Sequence, residues 1–158
     1  MTPPVKFLAD SMLGRLSKWL VLLGFDSRCV GRKGESDCAL LEMAQAEGRV
    51  FLTRDANIPE VRGLTKVVVT PAGFEDQLKF VLASLALKAD RGRLFSRCTV
   101  CNVELQTLSR EDALPRVPPL VAELDTAFFR CPGCGKLYWN GTHTANTVAK
   151  LERMGIFG

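Results

Sequence analysis

Four cysteines in the C-terminal half of the chain have the spacing of a metal site. Cys98 and Cys101 form one C-x2-C unit, Cys131 and Cys134 form a second, and 29 residues separate the two units. Two intervening residues let the backbone turn tightly and direct both sulfurs at one ion, and two such units complete a tetrahedral shell of four sulfurs. We therefore predict one structural zinc ion in a small zinc-ribbon module.

The alternatives to zinc are a redox-active cysteine pair or two disulfides. A redox C-x2-C motif would more naturally follow a strand and open a helix, and one pair would suffice. In a reducing compartment, regularly spaced cysteines are more often metal ligands than disulfides. The doubled spacing thus favours zinc.

Cys29 and Cys38 lie outside the pattern and are interpreted as buried apolar residues. A packing or a catalytic role stays open for the single histidine, His143.

Three aspartates occupy positions where catalytic carboxylates could meet. Asp10 and Asp55 each follow a predicted strand, and Asp37 opens a predicted helix. In an open parallel sheet, strand C-termini and helix starts converge on one edge, where ligands bind. Clustered carboxylates repel unless a cation joins them, and such oxygen ligands suit Mg2+ or Mn2+ in phosphodiester hydrolysis. The alternative stays open that these aspartates only stabilise turns and a helix N-terminus.

Other charged residues near these aspartates allow two interpretations each. Arg15, Lys18 and Arg54 could bind phosphates of a substrate or could be ordinary solvated surface charge. Glu75 or Asp76 could supply a fourth carboxylate, but a negative charge at a helix N-terminus is stabilising in itself.

The elements that would position these residues alternate between strand and helix over the first 90 residues. The predicted strands cover residues 5–9, 26–30, 49–53 and 66–70, and the predicted helices cover 12–23, 36–47 and 74–87, with a polar turn at 31–35. This alternation indicates an α/β domain with a parallel sheet. After residue 90 the pattern changes to cysteine pairs and prolines, so we predict a domain over 1–90 and a zinc-ribbon module over 91–158 that ends in a short helix.

Composition limits the class of protein. Hydrophobic residues make up 47% and charged residues 24% of the chain, which is ordinary for a globular protein. No stretch approaches the roughly 18 apolar residues of a membrane span, and the apolar stretch near the N-terminus is too short for a signal peptide, so we expect a cytoplasmic protein without a membrane partner. The formal charge of +4 is only weak support for a polyanionic partner.

Several motifs occur together in an order that is similar to that of a known family. They are FLADSMLGRL at 7–16, LTRD at 52–55, CTVCN at 98–102, CPGCGK at 131–136 and YWNGTH at 138–143. Because these motifs lie in both predicted modules and cover nearly the whole chain, the sequence resembles the Mut-seven C-terminal RNase family.

The resemblance implies a PIN-like nuclease domain, a three-layer α/β/α fold, joined to a zinc ribbon with four cysteine ligands. It implies that Asp10, Asp37 and Asp55 bind Mg2+ or Mn2+ and that the protein is an endoribonuclease acting on RNA. The ribbon would dock RNA or brace the nuclease domain. A non-catalytic RNA-binding or ribosome-associated adaptor, which contacts RNA through Tyr138 and Trp139, is the alternative hypothesis. A third is that the ribbon only completes the fold and mediates protein contacts.

Overall fold

A four-stranded parallel sheet forms the centre of the N-terminal part of the protein. The structure is a computed structural model that describes residues 4–30 and 36–157. The order across the sheet is β2-β1-β3-β4, and each neighbouring pair is parallel. The strands are β1 (Lys6–Ala9), β2 (Asp26–Cys29), β3 (Val50–Thr53) and β4 (Lys66–Val68). The polar turn that was predicted at 31–35 lies outside the described residues.

Three helices cover the two faces of this sheet, as the alternating pattern predicts. They are α1 (Gly14–Leu22), α2 (Asp37–Glu47) and α3 (Phe74–Ser84), and a single 3-10 turn (Ser11–Leu13) precedes α1. The bounds of α2 follow from local chemistry. The Ser36 hydroxyl accepts the N–H of Ala39 at 3.2 Å, and Gly48 ends the helix with a φ of +65°.

Alternating side chains of β1 and β3 divide the apolar core between the two faces of the sheet. Phe7 and Leu52 pack with α1 and α3 on one face, whereas Leu8 and Phe51 pack with α2 on the other. All four side chains are essentially inaccessible to solvent. The predicted α/β class with a parallel sheet and helices on both faces is therefore confirmed.

The C-terminal part contains a second, antiparallel sheet in the order β5-β6-β7. Its strands are β5 (Gln106–Leu108), β6 (Phe128–Arg130) and β7 (Leu137–Trp139). Two single-turn helices, α4 (Arg110–Ala113) and α5 (Pro119–Ala122), lie in the connection from β5 to β6, where the prolines cluster. In the described part of the chain, no helix is both long and apolar enough to cross a membrane.

The last helix, α6 (Thr142–Met154), returns to the α/β core. Leu151 is fully buried in the same cluster as the side chains of α1 and α3, and Met154 lies beside it. The N–H of Ala89 donates to the carbonyl of Ile156 at 3.0 Å. Although the sequence predicts this helix as part of the ribbon module, it completes the core of the first sheet. The division at residue 90 stays a prediction.

Candidate functional site

The four predicted zinc ligands converge on one point. The sulfur atoms of Cys98, Cys101, Cys131 and Cys134 all lie within 4.8 Å of one another. The Sγ atoms of Cys98 and Cys134 are 3.8 Å apart, which is about the edge of a tetrahedron with Zn–S bonds of roughly 2.3 Å and far beyond the roughly 2.05 Å of a disulfide. The donor set fits a closed structural Zn2+ site.

The two cysteine units adopt the same backbone turn. The N–H groups of Val100 and Cys101 donate to Cys98 Sγ at 3.4 and 3.3 Å, and those of Gly133 and Cys134 donate to Cys131 Sγ at 3.3 and 3.4 Å. Such donors stabilise a thiolate more than a thiol. Each knuckle therefore prepares its first sulfur for a cation.

A left-handed residue follows the second cysteine of each knuckle. Asn102 has a φ of +64° and Gly135 a φ of +76°, a region that glycine and asparagine enter most easily. The N–H of Asn102 donates to the carbonyl of Cys98, and that of Gly135 donates to Cys131. The two residues therefore close equivalent turns.

Tyr138 completes the surroundings of the first sulfur. Its hydroxyl donates to Cys98 Sγ at 3.1 Å and accepts the N–H of Thr99 at 3.1 Å. Burial acts to raise the pKa of Cys98, but the bonds from Tyr138 and the N–H groups of Cys101 and Val100 outweigh it and lower the pKa to about 6. These hydrogen bonds favour the thiolate, which is the form that binds a metal.

The interpretation of Cys29 and Cys38 as buried residues is wrong, since both are exposed. β2 is an edge strand of the sheet, and Cys38 lies in the first turn of α2, which faces solvent. The thiol of Cys29 donates to the backbone carbonyl of Asp10 at 3.3 Å. Partial burial of the sulfur and the negative charge of Asp10 raise the pKa of Cys29.

Asp10 and Asp55 follow β1 and β3, the two neighbouring strands between which the strand order reverses. The hydroxyl of Thr53 joins them, because it donates to Asp10 Oδ2 at 2.7 Å and accepts the N–H of Asp55 at 3.0 Å. The other oxygen of Asp10 accepts the N–H of Met12 at 3.1 Å. Reasoning from the sequence did not select Thr53. The signal that could have found it is a hydroxyl residue at the end of an otherwise apolar strand that an acidic residue follows.

The third aspartate, Asp37, is the exposed first residue of α2. Helix α2 follows β2, so Asp37 and Asp10 come after neighbouring parallel strands. The carboxylate oxygens of Asp10, Asp37 and Asp55 do not all lie within 4.8 Å of one another. Thr53 thus links the carboxylate of Asp10 to the backbone of Asp55, and a metal site shared by the three aspartates stays a prediction.

The three predicted phosphate-binding residues differ in their surroundings. Arg54 donates to the backbone carbonyls of Val69 and Pro71, which joins the ends of β3 and β4. The guanidinium of Arg15 lies 3.9 Å from the ring centroid of Phe74. Lys18 is exposed on α1. Substrate binding by these residues stays a prediction.

The remaining candidate residues lie near the helix N-termini. Glu75, in the first turn of α3, forms an ion pair with Lys150 of α6, with 3.0 Å between Glu75 Oε1 and Lys150 Nζ. The hydrogen bond from Lys150 lowers the pKa of Glu75. Asp76 lies in the same turn, and His143 is exposed in the first turn of α6. The contact with Lys150 links the first turn of α3 to α6, and a fourth catalytic carboxylate at Glu75 or Asp76 stays a prediction.

Comparison with known proteins places the chain in a family of nuclease domains. The model of the Mut7-C RNAse domain matches residues 5–151. The human protein "Exonuclease mut-7 homolog" is 31% identical over 104 residues, which is 63% of this chain and 12% of that protein. The chain thus spans a small fraction of this relative's length. No solved structure gives a significant match. Since the family match covers both the α/β domain and the four cysteines, the chain belongs to the Mut7-C RNAse domain family.

Proposed function

We propose that this protein is a metal-dependent endoribonuclease whose active site lies between the ends of β1 and β3. The observation that supports it most directly is the pairing of Asp10 and Asp55 through Thr53 at the reversal of strand order. Ligand sites of open parallel sheets form at this position. Membership of a nuclease family supports hydrolase activity in general.

Asp10 and Asp55 would hold Mg2+ or Mn2+, with Asp37 as a further carboxylate ligand. When bound, such an ion supplies an activated water and stabilises the charge that builds on the phosphodiester. Thr53 has a positioning role, because its bond to Oδ2 fixes the carboxylate of Asp10. Its acceptance of the Asp55 N–H fixes the backbone that carries the second carboxylate.

The experiment is cleavage of labelled single-stranded RNA by the zinc-loaded protein, with Mg2+, with Mn2+, or with neither ion. Wild-type protein is expected to cut internal bonds only when one of these ions is added. Replacing Asp10 with asparagine keeps the size of the side chain but removes its charge, so cleavage is expected to fall by at least about a thousandfold if the carboxylate holds the metal.

The matched control is Asp125→Asn, which removes an exposed carboxylate from the loop before β6. It is expected to cleave at the wild-type rate. If wild type, Asp10→Asn and Asp125→Asn all leave RNA intact while they bind it equally, the nuclease proposal fails and the adaptor hypothesis replaces it. Products shortened only from one end would contradict the endonuclease part of the proposal.

A further inference from the structure

A groove of about 660 Å³ separates α1 and β2 from the first cysteine knuckle. One wall consists of α1 residues from Gly14 to Val21, the floor of β2 residues from Ser27 onward, and the opposite wall of knuckle residues from Thr99 to Asn102. The hydroxyls of Ser17 and Ser27, 2.7 Å apart, bind the helix to the strand along this groove. The groove therefore lies between the α/β domain and the metal centre.

The charged side chains that line the groove all have the same sign. Arg15, Lys18 and Arg28 line it, and none of its described lining residues is acidic. The Arg28 guanidinium pairs with Glu47 at 2.7 Å, and that of Arg15 lies over Phe74, whereas Lys18 makes no ion pair among the described residues. A positively charged groove that follows a backbone is typical of single-stranded nucleic-acid binding.

One end of the groove lies beside the backbone of Asp10. Cys29 and Gly14 line that end, and Cys29 donates to the backbone carbonyl of Asp10 at 3.3 Å. Asn102 lies at the other end, where its Oδ1 accepts the N–H of Ser27 at 3.1 Å. Because an α-helix rises about 1.5 Å per residue, the stretch of α1 that lines the groove guides a ligand over about 10 Å from the knuckle to the Asp10 edge.

The knuckle presents an unusual apolar residue to this groove. The side chain of Val100 is 70% exposed, although its neighbours Cys98 and Cys101 are buried and half-buried. Asn102 fixes the knuckle against β2, since its amide also donates to Asp26 Oδ1 at 2.6 Å. An apolar side chain on a rigid turn beside a basic wall suits contact with a ribose or a base while phosphates lie near Lys18.

We propose that this groove binds a single strand of RNA and that the first zinc knuckle forms one of its walls. The inference rests on the proposed ribonuclease function and deepens it. The phosphates lie along the α1 wall near Lys18, and the sugar or base side contacts Val100. Zinc thus contributes to substrate binding by holding Thr99 to Asn102 in place, in addition to stabilising the ribbon.

The test measures binding of a labelled single-stranded RNA by full-length, zinc-loaded protein in the Asp10→Asn background, which prevents cleavage. Val100→Asp places a carboxylate on the groove wall at an exposed position, where folding tolerates it. Repulsion of phosphate is expected to weaken binding by about tenfold. Leu120→Asp is the matched control, since Leu120 is a 79% exposed aliphatic residue of the same module outside the groove, and we expect its affinity to stay close to that of the parent.

A second pair of variants tests the α1 wall. Lys18→Ala is expected to reduce the slope of log affinity against log salt by about 0.7, the value of one phosphate contact on a single strand. Lys88→Ala, which removes an exposed lysine outside the groove, is expected to leave the slope unchanged. Zinc content of every variant is measured, and single-stranded DNA of the same sequence is the comparison ligand.

The outcomes separate this inference from the ribonuclease proposal. Suppose that wild type cleaves RNA in a metal-dependent way, but each groove variant binds RNA as its control does: Val100→Asp with the affinity of Leu120→Asp, and Lys18→Ala with the salt dependence of Lys88→Ala. The groove is then not the RNA-binding site, and the nuclease proposal stands. If no cleavage occurs but both groove variants lose RNA affinity, the groove stands without the nuclease. Stronger binding of DNA than of RNA, or no binding of either, overturns the groove as an RNA site.

Discussion

At the scale of single residues, the hydroxyl of Thr53 makes the most specific contact of the proposed active site. Thr53 is fully buried, and among the described residues no other donor contacts Asp10 Oδ2. Thr53→Val keeps the shape of the side chain and removes both hydrogen bonds of the hydroxyl. If the RNA cleavage of the proposed function is present, its rate is expected to fall by about 10- to 100-fold, the usual effect of removing the partner of a metal ligand.

The control for this prediction is Thr53→Ser, which keeps the hydroxyl and is expected to retain cleavage within a few-fold. Urea unfolding should show a loss of about 1 to 2 kcal/mol for Thr53→Val, because the half-buried Asp10 carboxylate and the Asp55 amide each lose a partner. Equal cleavage rates in the valine and serine variants would contradict a positioning role for this hydroxyl.

A second prediction concerns the reactivity of the two exposed cysteines outside the knuckles. Because partial burial and the charge of Asp10 raise the pKa of Cys29, less of its thiol is ionised in mildly alkaline buffer, and alkylation is expected to be slower than at Cys38. Asp10→Asn removes the neighbouring charge and is expected to speed the reaction of Cys29 alone. Peptide mass spectrometry after timed iodoacetamide treatment measures both rates. An unchanged Cys29 rate in Asp10→Asn would contradict an effect of the Asp10 charge on the Cys29 thiol.

At the scale of secondary-structure elements, the sequence predicts those features that interactions between residues close in the chain determine. The bounds of α2 follow from the capping hydroxyl of Ser36 and the left-handed Gly48, both readable from the sequence. The burial of Cys29 was predicted wrongly because edge and central strands have similar composition. The packing of Leu151 on the α/β core joins residues far apart in the chain, so periodicity predicts the helix but not its partner.

The same limit applies to the candidate site. The knuckles were predictable because two residues of spacing determine the turn. Asp10 and Asp55 were predictable as neighbours because parallel strands end at one edge of a sheet. The bridge through Thr53 depends on which strands are adjacent, and the sequence does not contain the strand order in any local pattern.

A charged network joins the first knuckle to the parallel sheet. Arg49, with 9% of its side chain exposed, donates to Asp26 Oδ1 at 2.7 Å and to the carbonyl of Phe7 at 3.2 Å, and it also pairs with Glu47. Asp26 accepts the amide of Asn102 as well. Removing the charge of Asp26 leaves Glu47 as the remaining carboxylate that pairs with the guanidinium among the described residues, so Asp26→Asn is expected to lower the free energy of unfolding at neutral pH by about 2 kcal/mol.

The pH dependence of this effect has a definite sign. Burial acts to raise the pKa of Asp26, but hydrogen bonds from Arg49 and Asn102 outweigh it and hold the pKa below its usual 3.8. The stabilisation is therefore present above about pH 3.8 and is lost as the pH falls further. The difference in unfolding free energy between wild type and Asp26→Asn, measured with urea, is expected to stay constant from about pH 7 to about pH 5 and to shrink below about pH 4. A difference that widens on acidification contradicts the network.

The docking of α6 gives a prediction about stability. Leu151 is fully buried among side chains of the α/β core, so Leu151→Ala is expected to cost about 2 to 5 kcal/mol of unfolding free energy. Leu120→Ala removes the same atoms from a residue that is 79% exposed. It is expected to change the free energy of unfolding by less than about 0.5 kcal/mol. Similar unfolding midpoints for the two variants would show that α6 is not part of the core.

At the scale of the whole molecule, the zinc centre and the α/β domain share few but specific contacts. The edge strand β2 has one free side, and there the side chain of Asn102 accepts the N–H of Ser27 at 3.1 Å. On the same strand's C-terminal side, the N–H of Val30 donates instead to the carbonyl of Ala9 within the sheet at 3.0 Å. The two amides therefore depend on different parts of the molecule.

Removing zinc with a chelator is expected to affect these two amides differently. The knuckles lose their order because binding energy of a structural zinc ion is folding energy, and Asn102 then leaves the strand edge. Hydrogen exchange at Ser27 is expected to accelerate by at least about tenfold, whereas Val30 keeps its protection, because both apolar clusters of the α/β domain form without the cysteines.

Amide exchange measured by NMR before and after chelation distinguishes a local effect from a global one. Faster exchange at Ser27 alone means that zinc orders the strand edge and with it the floor of the groove. Faster exchange at both amides means that the α/β domain cannot fold without the ribbon. Unchanged exchange at Ser27 would show that the knuckle keeps its place on β2 without a metal, and zinc would then have no means of controlling the groove.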